Sequence, residues 1–340
     1  MNKAIEEINQ MIVDNSQKQQ IFSFFDNEVA AYVELLIKLE KDIARNPALL
    51  DTAIQTTLNE ATMKIIKRGY ELGNTIGDKK IIDKIKNAFR ETIMPWMSKS
   101  LIMYRGLTKP KGYPGDFQML EYIYNGVSIS QGIGKYFDEG FLTSDLTQAV
   151  INRKNMMREQ LIKEISKPQM SILNLACGSC REIRELPETV LTLSPFFDCV
   201  DFDSEALEYS KNKLASKKID INYVKGDIIE VIKDEANELF HNKDIIYSIG
   251  LIDYLPDRIL KRIIASCLKG LKSRGKIILT IKDRDVYNPI REDWLTDWKF
   301  IPRNNQDIDG LIKEVGGGQI SLTEYRDESQ IIIFLVITKN

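Results

Sequence analysis

The spacing of hydrophobic positions changes partway along the chain. Up to about residue 105, apolar residues recur at three- and four-residue steps, as in "QIFSFFDNEVAAYVELLIKLEKDI", which predicts amphipathic helices. A second helix is predicted in "PALLDTAIQTTLNEATMKIIKRGYEL", with Pro47 and Asp51 as start signals and Gly73 as a stop. A third, "KKIIDKIKNAFRETIMPWM", should be interrupted at Pro95. This part is therefore expected to form a bundle of three to five helices.

From residue 170 onward, short apolar stretches replace the helical spacing. Seven of them read as strands: "MSILNLA", "FFDCVDFD", "INYVKGD", "KDIIYSIG", "GKIILTI", "QISLTEYRD" and "QIIIFLVITK". Helical patterns separate most of the first five, as parallel strands require, whereas the last two follow each other closely, as antiparallel strands can. The expected fold is α/β, a Rossmann-like, seven-stranded, doubly wound sheet with its last strand antiparallel, preceded by an N-terminal α-helical domain.

These patterns divide the chain into three expected segments. They are a helical bundle domain over 1–105, a lid or connector over 106–165, and a sheet domain over 166–340. The connector contains "KPKGYPGD", whose glycines and prolines impose an unusual backbone and present Tyr113 and Asp116. We expect either a lid loop over a ligand or a connection that docks the bundle. The helix that ends the connector has Ser144 or Asp145 as its cap.

Composition excludes several classes of protein. The 340 residues are 43% hydrophobic and 28% charged, and the formal net charge of −2 argues against a nucleic-acid partner. No apolar stretch approaches the roughly 20 residues of a membrane span. The start, "MNKAIEEINQM", lacks the pattern of a secretory signal, so a cytoplasmic protein is expected.

Cysteine and histidine are scarce. Four cysteines in 340 residues do not make a disulfide framework. The single histidine, His241, nearly excludes a histidine-ligated metal site, and its loop context predicts an exposed side chain. No metal is expected.

The stretch "ILNLACGSCREI" carries the most specific chemistry. Its Cys-x-x-Cys follows a strand and opens a helix, as in thioredoxin-type redox proteins, but the series of parallel strands does not suit that fold. A zinc site would need a second pair of ligands, and a dinucleotide-binding turn would need further glycines besides Gly178. A ligand without phosphates demands less of the turn, and S-adenosylmethionine (SAM) is such a ligand.

The ends of the neighbouring strands offer groups that match SAM. Asp201 could accept hydrogen bonds from the two ribose hydroxyls, and Asp203 would then cap the following helix. Asp227 could accept from the adenine amino group while the N–H of Ile228 donates to the ring. The segment "SIGLIDYL" would face the methionine part and the methyl group.

The order of these motifs resembles the class I SAM-dependent methyltransferases over about residues 165–340. With "KPKGYPGD" and "GLIDYL", the chain further resembles a bacterial subgroup that includes synthases of 3-hydroxy fatty-acid methyl esters, in which Pro-Ala often replaces Ser179-Cys180. Cys180 is then a small packing residue. The resemblance implies a cofactor site made of Asn174, Ala176, Cys177, Gly178, Asp201, Phe202, Asp227, Ile228, Ser248 and Gly250, with Arg153 facing either the methionine carboxylate or solvent.

The acceptor is expected to be a small molecule. A carboxylate is already ionised at neutral pH and needs no general base, which suits a chain with one histidine, and the helical bundle could wall an apolar pocket for it. A phenol or amine acceptor would need a base, for which Tyr113, Asp116 and Asp253 are candidates, and Tyr254 could contact the acceptor.

Three other functions stay open at this point. A nucleic-acid methyltransferase would usually show Asn/Asp-Pro-Pro-Tyr after the fourth strand, and a dehydrogenase would need more glycines. A noncatalytic binding module is favoured by the departures at Asn174 and Ala176. We expect no nucleic-acid or membrane partner, and a homodimer is compatible with the sequence. Arg181 and Glu182 are expected to be either solvated or paired with each other.

Overall fold

The computed structural model describes residues 3–12, 14–45, 51–233, 238–316 and 320–340. Its α-helices are α1 (Lys3–Met11), α2 (Asn15–Ser23), α3 (Ala30–Arg45), α4 (Thr52–Ile76), α5 (Lys79–Met97), α6 (Leu101–Thr108), α7 (Phe117–Asn125), α8 (Ile133–Leu142), α9 (Asp145–Glu164), α10 (Arg181–Arg184), α11 (Glu188–Leu191), α12 (Ser204–Leu214), α13 (Ile228–Val231), α14 (Asp257–Gly270), α15 (Ile290–Thr296) and α16 (Asn305–Gly316). None of these helices is both long and apolar enough to cross a bilayer.

All seven predicted strands are present and form one sheet. They are β1 (Ser171–Leu175), β2 (Phe196–Asp201), β3 (Asp220–Lys225), β4 (Lys243–Ser248), β5 (Leu271–Lys282), β6 (Ile320–Arg326) and β7 (Ile332–Lys339). Their order is β3-β2-β1-β4-β5-β7-β6, and only β7 runs antiparallel to its neighbours. The predicted Rossmann-like fold with an antiparallel last strand is confirmed.

The centre of the sheet is buried on both faces. Every residue of β4 is buried, as is β1 from Ile172 onward, because crossover helices cover both sides of a parallel sheet. The edge strand β3 is instead half-exposed. Strand order reverses between β1 and β4, and the carboxyl ends of strands at such a point form a crevice in which ligands of this fold bind.

The chain divides into two compact units. One, here called the helical unit, contains residues 1–144 and 288–299, and the other, the sheet unit, contains 145–287 and 300–340. This division differs from the three expected segments, since the "KPKGYPGD" loop falls in the helical unit and α9 falls in the sheet unit. The helical unit also takes α15 from a later part of the sequence.

The helical unit corrects several boundaries predicted from sequence. Asp51 does cap α4, accepting from the N–H groups of Ala53 and Ile54, whereas Pro47 lies outside the described residues. The helix passes through Gly73 and ends instead at Gly77, whose φ of 71° is the left-handed conformation of a C-cap.

Pro95 does not interrupt α5, which continues to Met97. Pro95 has no N–H to donate to the carbonyl four residues earlier. Only two helical residues follow it, so the loss of this one hydrogen bond affects only the end of the helix. In the described part of residues 1–105, six α-helices begin, more than the three to five expected. The excess arises from the short helices α1 and α6 and from a π-helical turn over Phe24–Val29 that divides the segment predicted as one helix.

The core of the helical unit is closed by α15, for which sequence analysis made no prediction. The Trp294 ring packs edge-on against Phe24 and Phe89, with centroids 6.2 and 5.8 Å away. A Cβ on Gly69 of α4 would lie 2.3 Å from the Trp294 ring, so only glycine allows this approach. Arg90 of α5 donates from Nη1 to the carbonyls of Asp293 and Trp294. These contacts join α15 to α4 and α5.

Candidate functional site

The turn between β1 and α10 has three residues in the left-handed conformation. They are Ala176 at φ 56°, Gly178 at 52° and Cys180 at 48°. Glycine adopts this conformation freely, whereas a Cβ makes it costly, so Ala176 and Cys180 are held there by their surroundings. One restraint is visible, because the Cys177 N–H donates to the Val200 carbonyl at 3.0 Å. The main chain thus folds sharply at the switch point of the sheet.

Asp201 ends β2 beside this turn. Its Oδ2 accepts from the Gly178 N–H at 2.8 Å, and its Oδ1 accepts from the Asp203 N–H at 2.9 Å. Burial raises the pKa of the carboxyl, and the two N–H donors oppose that rise. A carboxylate offers about four lone-pair sites, so two accepted bonds leave capacity for a ligand. Asp203 caps α12 through the Glu205 N–H, as predicted.

Comparison with known families identifies this region. Residues 172–275, which run from β1 through the middle of β5, match the family model described as "Methyltransferase domain". This part of the chain is similar to a methyltransferase domain. The matched residues include the turn, Asp201 and the end of β4.

Solved structures give similar folds at low identity. A possible exported protein from Bordetella parapertussis superposes with a TM-score of 0.55 over 92% of this chain and 96% of its own, at 14% identity. Magnesium protoporphyrin IX methyltransferase from Synechocystis, with bound SAM, gives 0.42 over 58% and 82% at 10% identity. The N-methyltransferase NodS from Bradyrhizobium japonicum, with S-adenosylhomocysteine, gives 0.40 over 55% and 87% at 12% identity. No curated protein matches the chain.

The predicted adenine contacts lie just after the ends of β3 and β2. Asp227 is exposed and caps α13 by accepting from the Ile229 N–H at 2.8 Å. Ile228 is buried, and Phe202, immediately after Asp201, is 50% exposed. An exposed aromatic ring beside a buried carboxylate is a surface on which a flat base can stack.

Arg153 of α9 lies at the end of β4 rather than on the surface. It is buried, and its Nη2 would be 3.7 Å from a Cβ on Gly250. Its Nε has no hydrogen-bond partner, and a buried unsatisfied donor is unusual. The charge and the open donor fit the methionine carboxylate of SAM, so the residues present suit the cofactor. The predicted contact Ser248 is also at this strand end, but its hydroxyl donates to the Leu175 carbonyl and ties β4 to β1.

Asn174 lies in a buried polar network that sequence analysis missed. Its Nδ2 donates to Glu182 Oε1 at 3.0 Å, and the Tyr247 hydroxyl donates to the same oxygen at 2.8 Å. Burial raises the pKa of Glu182 to about 7. Asn174 and Tyr247 are register partners on β1 and β4, a pairing that sequence spacing alone does not fix. Asn174 therefore supports α10 from below the turn.

The expected pairing of Arg181 with Glu182 is not formed. Arg181 Nε donates to Glu185 Oε1 at 2.5 Å, one helical turn further on, while the Glu182 side chain points into the sheet. Residues at i and i+4 share a helix face, whereas neighbours in sequence do not.

The candidate catalytic residues of the sheet unit lie after β4. Asp253 is 1% exposed and Lys282 is 2% exposed, and they form an ion pair at 2.7 Å. Asp253 also accepts from the Lys282 N–H at 2.9 Å. Tyr254 is half-buried and packs on the Phe300 ring, with centroids 5.4 Å apart.

The other two candidates, Tyr113 and Asp116, belong to the helical unit. Asp116 is buried, caps α7 through the N–H groups of Gln118 and Met119, and pairs with Arg105 at 2.8 Å. Its Oδ2 has no hydrogen-bond partner. Tyr113 is half-buried in the loop.

The proximity of three cysteines was not predicted from the sequence. The Sγ atoms of Cys177, Cys180 and Cys199, here called the cysteine cluster, lie within 4.8 Å of one another. Sequence analysis paired only the first two, because Cys199 lies on β2 and is brought near by strand pairing. His241 is exposed, as predicted.

Proposed function

We propose that this chain is a SAM-dependent methyltransferase and that it methylates an oxygen of a carboxylate, such as that of a fatty or hydroxy fatty acid. SAM, when bound, supplies an electrophilic methyl group on a sulfonium. The chain's own residues then have to hold the acceptor in line and exclude water. The acceptor needs no deprotonation, since free carboxyl groups have pKa values of about 4.

The observation that carries this proposal is the bonding of Asp253. A general base must be free to take a proton within hydrogen-bond reach of the acceptor. Asp253 stands at the end of β4 where the acceptor is expected, but both of its oxygens are bonded to Lys282. Asp116 is bonded to Arg105 and to the N–H groups of its own helix through Oδ1 alone, and its Oδ2 has no hydrogen-bond partner. Of the two acids, it is therefore Asp253 whose bonding does not suit the role of base and favours an acceptor that is already ionised.

The surroundings of the ion pair also suit an apolar acid. Lys282 Nζ lies 3.7 Å from the centre of the Phe300 ring, and Phe300 contacts both Tyr254 and Tyr287. Aromatic rings offer apolar surface to an acyl chain, and the Asp253–Lys282 ion pair leaves no net charge there. We assign Tyr254 to acceptor contact and Asp253 to positioning Lys282.

For the cofactor we propose that Asp201 binds the ribose hydroxyls and that Arg153 binds the methionine carboxylate. The main chain from Ala176 to Gly178 would follow the cofactor. Asp227, the Ile228 N–H and Phe202 would contact adenine, and Gly250 would leave room at the end of β4.

A turnover assay tests the reaction. Purified protein is supplied with SAM and, separately, with fatty acids, 3-hydroxy fatty acids, phenolic acids and amines, and S-adenosylhomocysteine is measured. We expect product only with carboxylic acids, and a rate that stays flat from about pH 6 to 9 because the acceptor is ionised throughout. Methylation of amines, or a rate that rises with pH, would contradict the proposal.

A binding assay tests the cofactor site independently. Asp201→Asn should weaken S-adenosylhomocysteine binding about tenfold or more by calorimetry, because hydrogen bonds to a charged partner contribute about 1.5–3 kcal/mol. The control is Asp220→Asn, which changes an exposed aspartate on β3 and should bind normally. Failure of the wild-type chain to bind would favour a noncatalytic module instead.

A further inference from the structure

The three thiol groups of the cysteine cluster have no role in the proposed methyl transfer, in which Cys177 takes part only through its main chain. Cys177 is 6% exposed, and Cys180 and Cys199 are 0% exposed, with all three Sγ atoms within 4.8 Å of one another. We propose that this cluster binds one soft metal cation through three sulfur ligands, and that Cu⁺ is the ion whose chemistry fits it best.

The fold holds the three sulfurs together before any ion arrives. Cys177 and Cys180 flank Gly178 and Ser179, and the Cys180 N–H donates to the Cys177 carbonyl at 3.0 Å. Cys199 sits in the middle of β2, in register with Asn174 of β1. The Cys177 N–H is fixed to the carbonyl of the residue after Cys199. The ligands therefore come from a sharp turn and a central strand, both rigid elements.

Distance and ligand type select the class of ion. Thiolate sulfurs bind metals such as zinc at about 2.3 Å, and a cation at that distance from each sulfur fits a triangle with sides below 4.8 Å. Thiolates favour soft ions, including Cu⁺ and Zn²⁺, over Mg²⁺ or Ca²⁺.

The number of ligands separates Cu⁺ from Zn²⁺. Zinc is almost always four-coordinate in structural sites, and catalytic zinc takes a water molecule as its fourth ligand. Among the described residues, no histidine, aspartate or glutamate joins the group of three sulfurs, and the burial of the sulfurs disfavours a water ligand. Three sulfurs alone suit Cu⁺, which is stable with three ligands.

Ligation involves no electron transfer. Each sulfur that binds as a thiolate exchanges its S–H bond for a sulfur–copper bond and releases one proton to solvent, while copper stays in the +1 state. The Arg184 side chain lies close enough to interact electrostatically with Cys180 and would offset part of the negative charge.

A copper competition assay tests the site on the full chain under reducing conditions. Cu⁺ is supplied as its coloured bicinchoninate complex, and transfer to the protein removes the colour. We expect the wild-type chain to take one Cu⁺. Cys180→Ala and Cys199→Ala should bind it about a hundredfold or more weakly, because even the partners of metal ligands contribute about 10- to 100-fold.

The chain provides a matched control. Cys267 is also fully buried but packs in the apolar core of the sheet with Leu271 and Ile263, so Cys267→Ala should keep full copper uptake. Circular dichroism and S-adenosylhomocysteine binding show which variants fold, and the wild-type result stands without any of them.

Four outcomes would overturn the proposal. The wild-type chain takes no copper, Cys267→Ala loses it as fully as Cys199→Ala, or Zn²⁺ binds in preference to Cu⁺. The fourth is a loss of two titratable thiols from the cluster on treatment with glutathione disulfide, without copper uptake by the reduced chain, which would mean a disulfide switch instead.

Discussion

Single residues in the cofactor turn show how this chain departs from a glycine-rich pattern. Ala176 holds a φ of 56° and Cys180 a φ of 48°, where glycine would be unstrained. The turn forms nonetheless because hydrogen bonds to the Asp201 carboxylate and to the Val200 carbonyl fix its main chain. The departures at Asn174 and Ala176 therefore leave the shape of the turn intact.

Replacing Ala176 with glycine tests this strain. A left-handed conformation costs a residue with a Cβ about 1–2 kcal/mol, part of which glycine loses again through its freer unfolded chain. Ala176→Gly should raise the free energy of unfolding by up to about 1 kcal/mol in urea denaturation. Ala53→Gly, on the exposed face of α4, should instead lower it by up to about 1 kcal/mol. A loss of stability in Ala176→Gly would show that the turn is not strained.

Glu182 gives the fold a dependence on pH. Its pKa is about 7 in the folded protein against an ordinary value of 4.5, so the folded state binds the proton more tightly than the unfolded state. The stability that this carboxyl contributes is full below about pH 4.5 and is lost as pH rises through 7. The difference amounts to about 3 kcal/mol.

Replacing Glu182 with glutamine should remove that dependence. Glu182→Gln keeps an oxygen that can accept from Asn174 and Tyr247 but cannot ionise. Its unfolding free energy, measured in urea between pH 4.5 and 8, should fall less with rising pH than that of the wild type. Glu188→Gln, at an exposed position, should follow the wild-type curve. Parallel curves for wild type and Glu182→Gln would contradict the raised pKa.

At the scale of elements, the sheet was predictable and the helical connections were not. Each strand is a short apolar stretch that can be recognised without knowing its neighbours in the sheet, so all seven strands were predicted. Helix ends depend on one residue's φ, which is why Gly73 was mistaken for Gly77. Asp201 could be singled out as a candidate because it ends a strand. The Asp253–Lys282 pair and the cysteine cluster join distant elements, and no local spacing encodes them.

The approach of α4 to α15 yields a paired prediction. Gly69→Ala should destabilise the protein by about 1–3 kcal/mol or more, because its Cβ would lie 2.3 Å from the Trp294 ring in a filled core. Gly73→Ala, one turn further along α4, places its Cβ 3.5 Å from Ile82 and should be neutral or stabilising by up to about 1 kcal/mol. Thermal unfolding compares the two variants. Equal losses would mean that helix propensity, rather than the contact with Trp294, limits both positions.

At the scale of the whole molecule, sequence order and structural unit do not coincide. Residues 288–299 lie between β5 and β6 in sequence, yet they complete the core of the helical unit. The chain leaves the sheet unit after Tyr287 and returns to it at Phe300. The rings of Tyr287 and Phe300 are in contact, with centroids 5.7 Å apart. The residues that flank the 288–299 segment are therefore close together in the sheet unit.

Truncating Trp294 should reveal which unit depends on it. Trp294→Ala removes a buried ring, a change that costs about 3–5 kcal/mol, and its ring partners Phe24 and Phe89 belong to the helical unit. Hydrogen exchange measured by mass spectrometry should show loss of protection in α3 to α5 and little change in β1 and β4. Phe197→Ala, in the buried face of β2, should give the opposite pattern. Equal loss in both units with either variant would mean that they unfold together.

The late position of residues 288–299 in the sequence has a consequence for synthesis on the ribosome. Residues 1–144 emerge from the ribosome long before Trp294, which is translated only after five strands of the sheet. The hydrophobic core of the helical unit therefore cannot be completed before that point. Domains usually acquire structure in the order of their synthesis. Here the nascent helices would hold an unfilled hydrophobic gap until α15 is translated, and that gap is a surface to which a chaperone can bind.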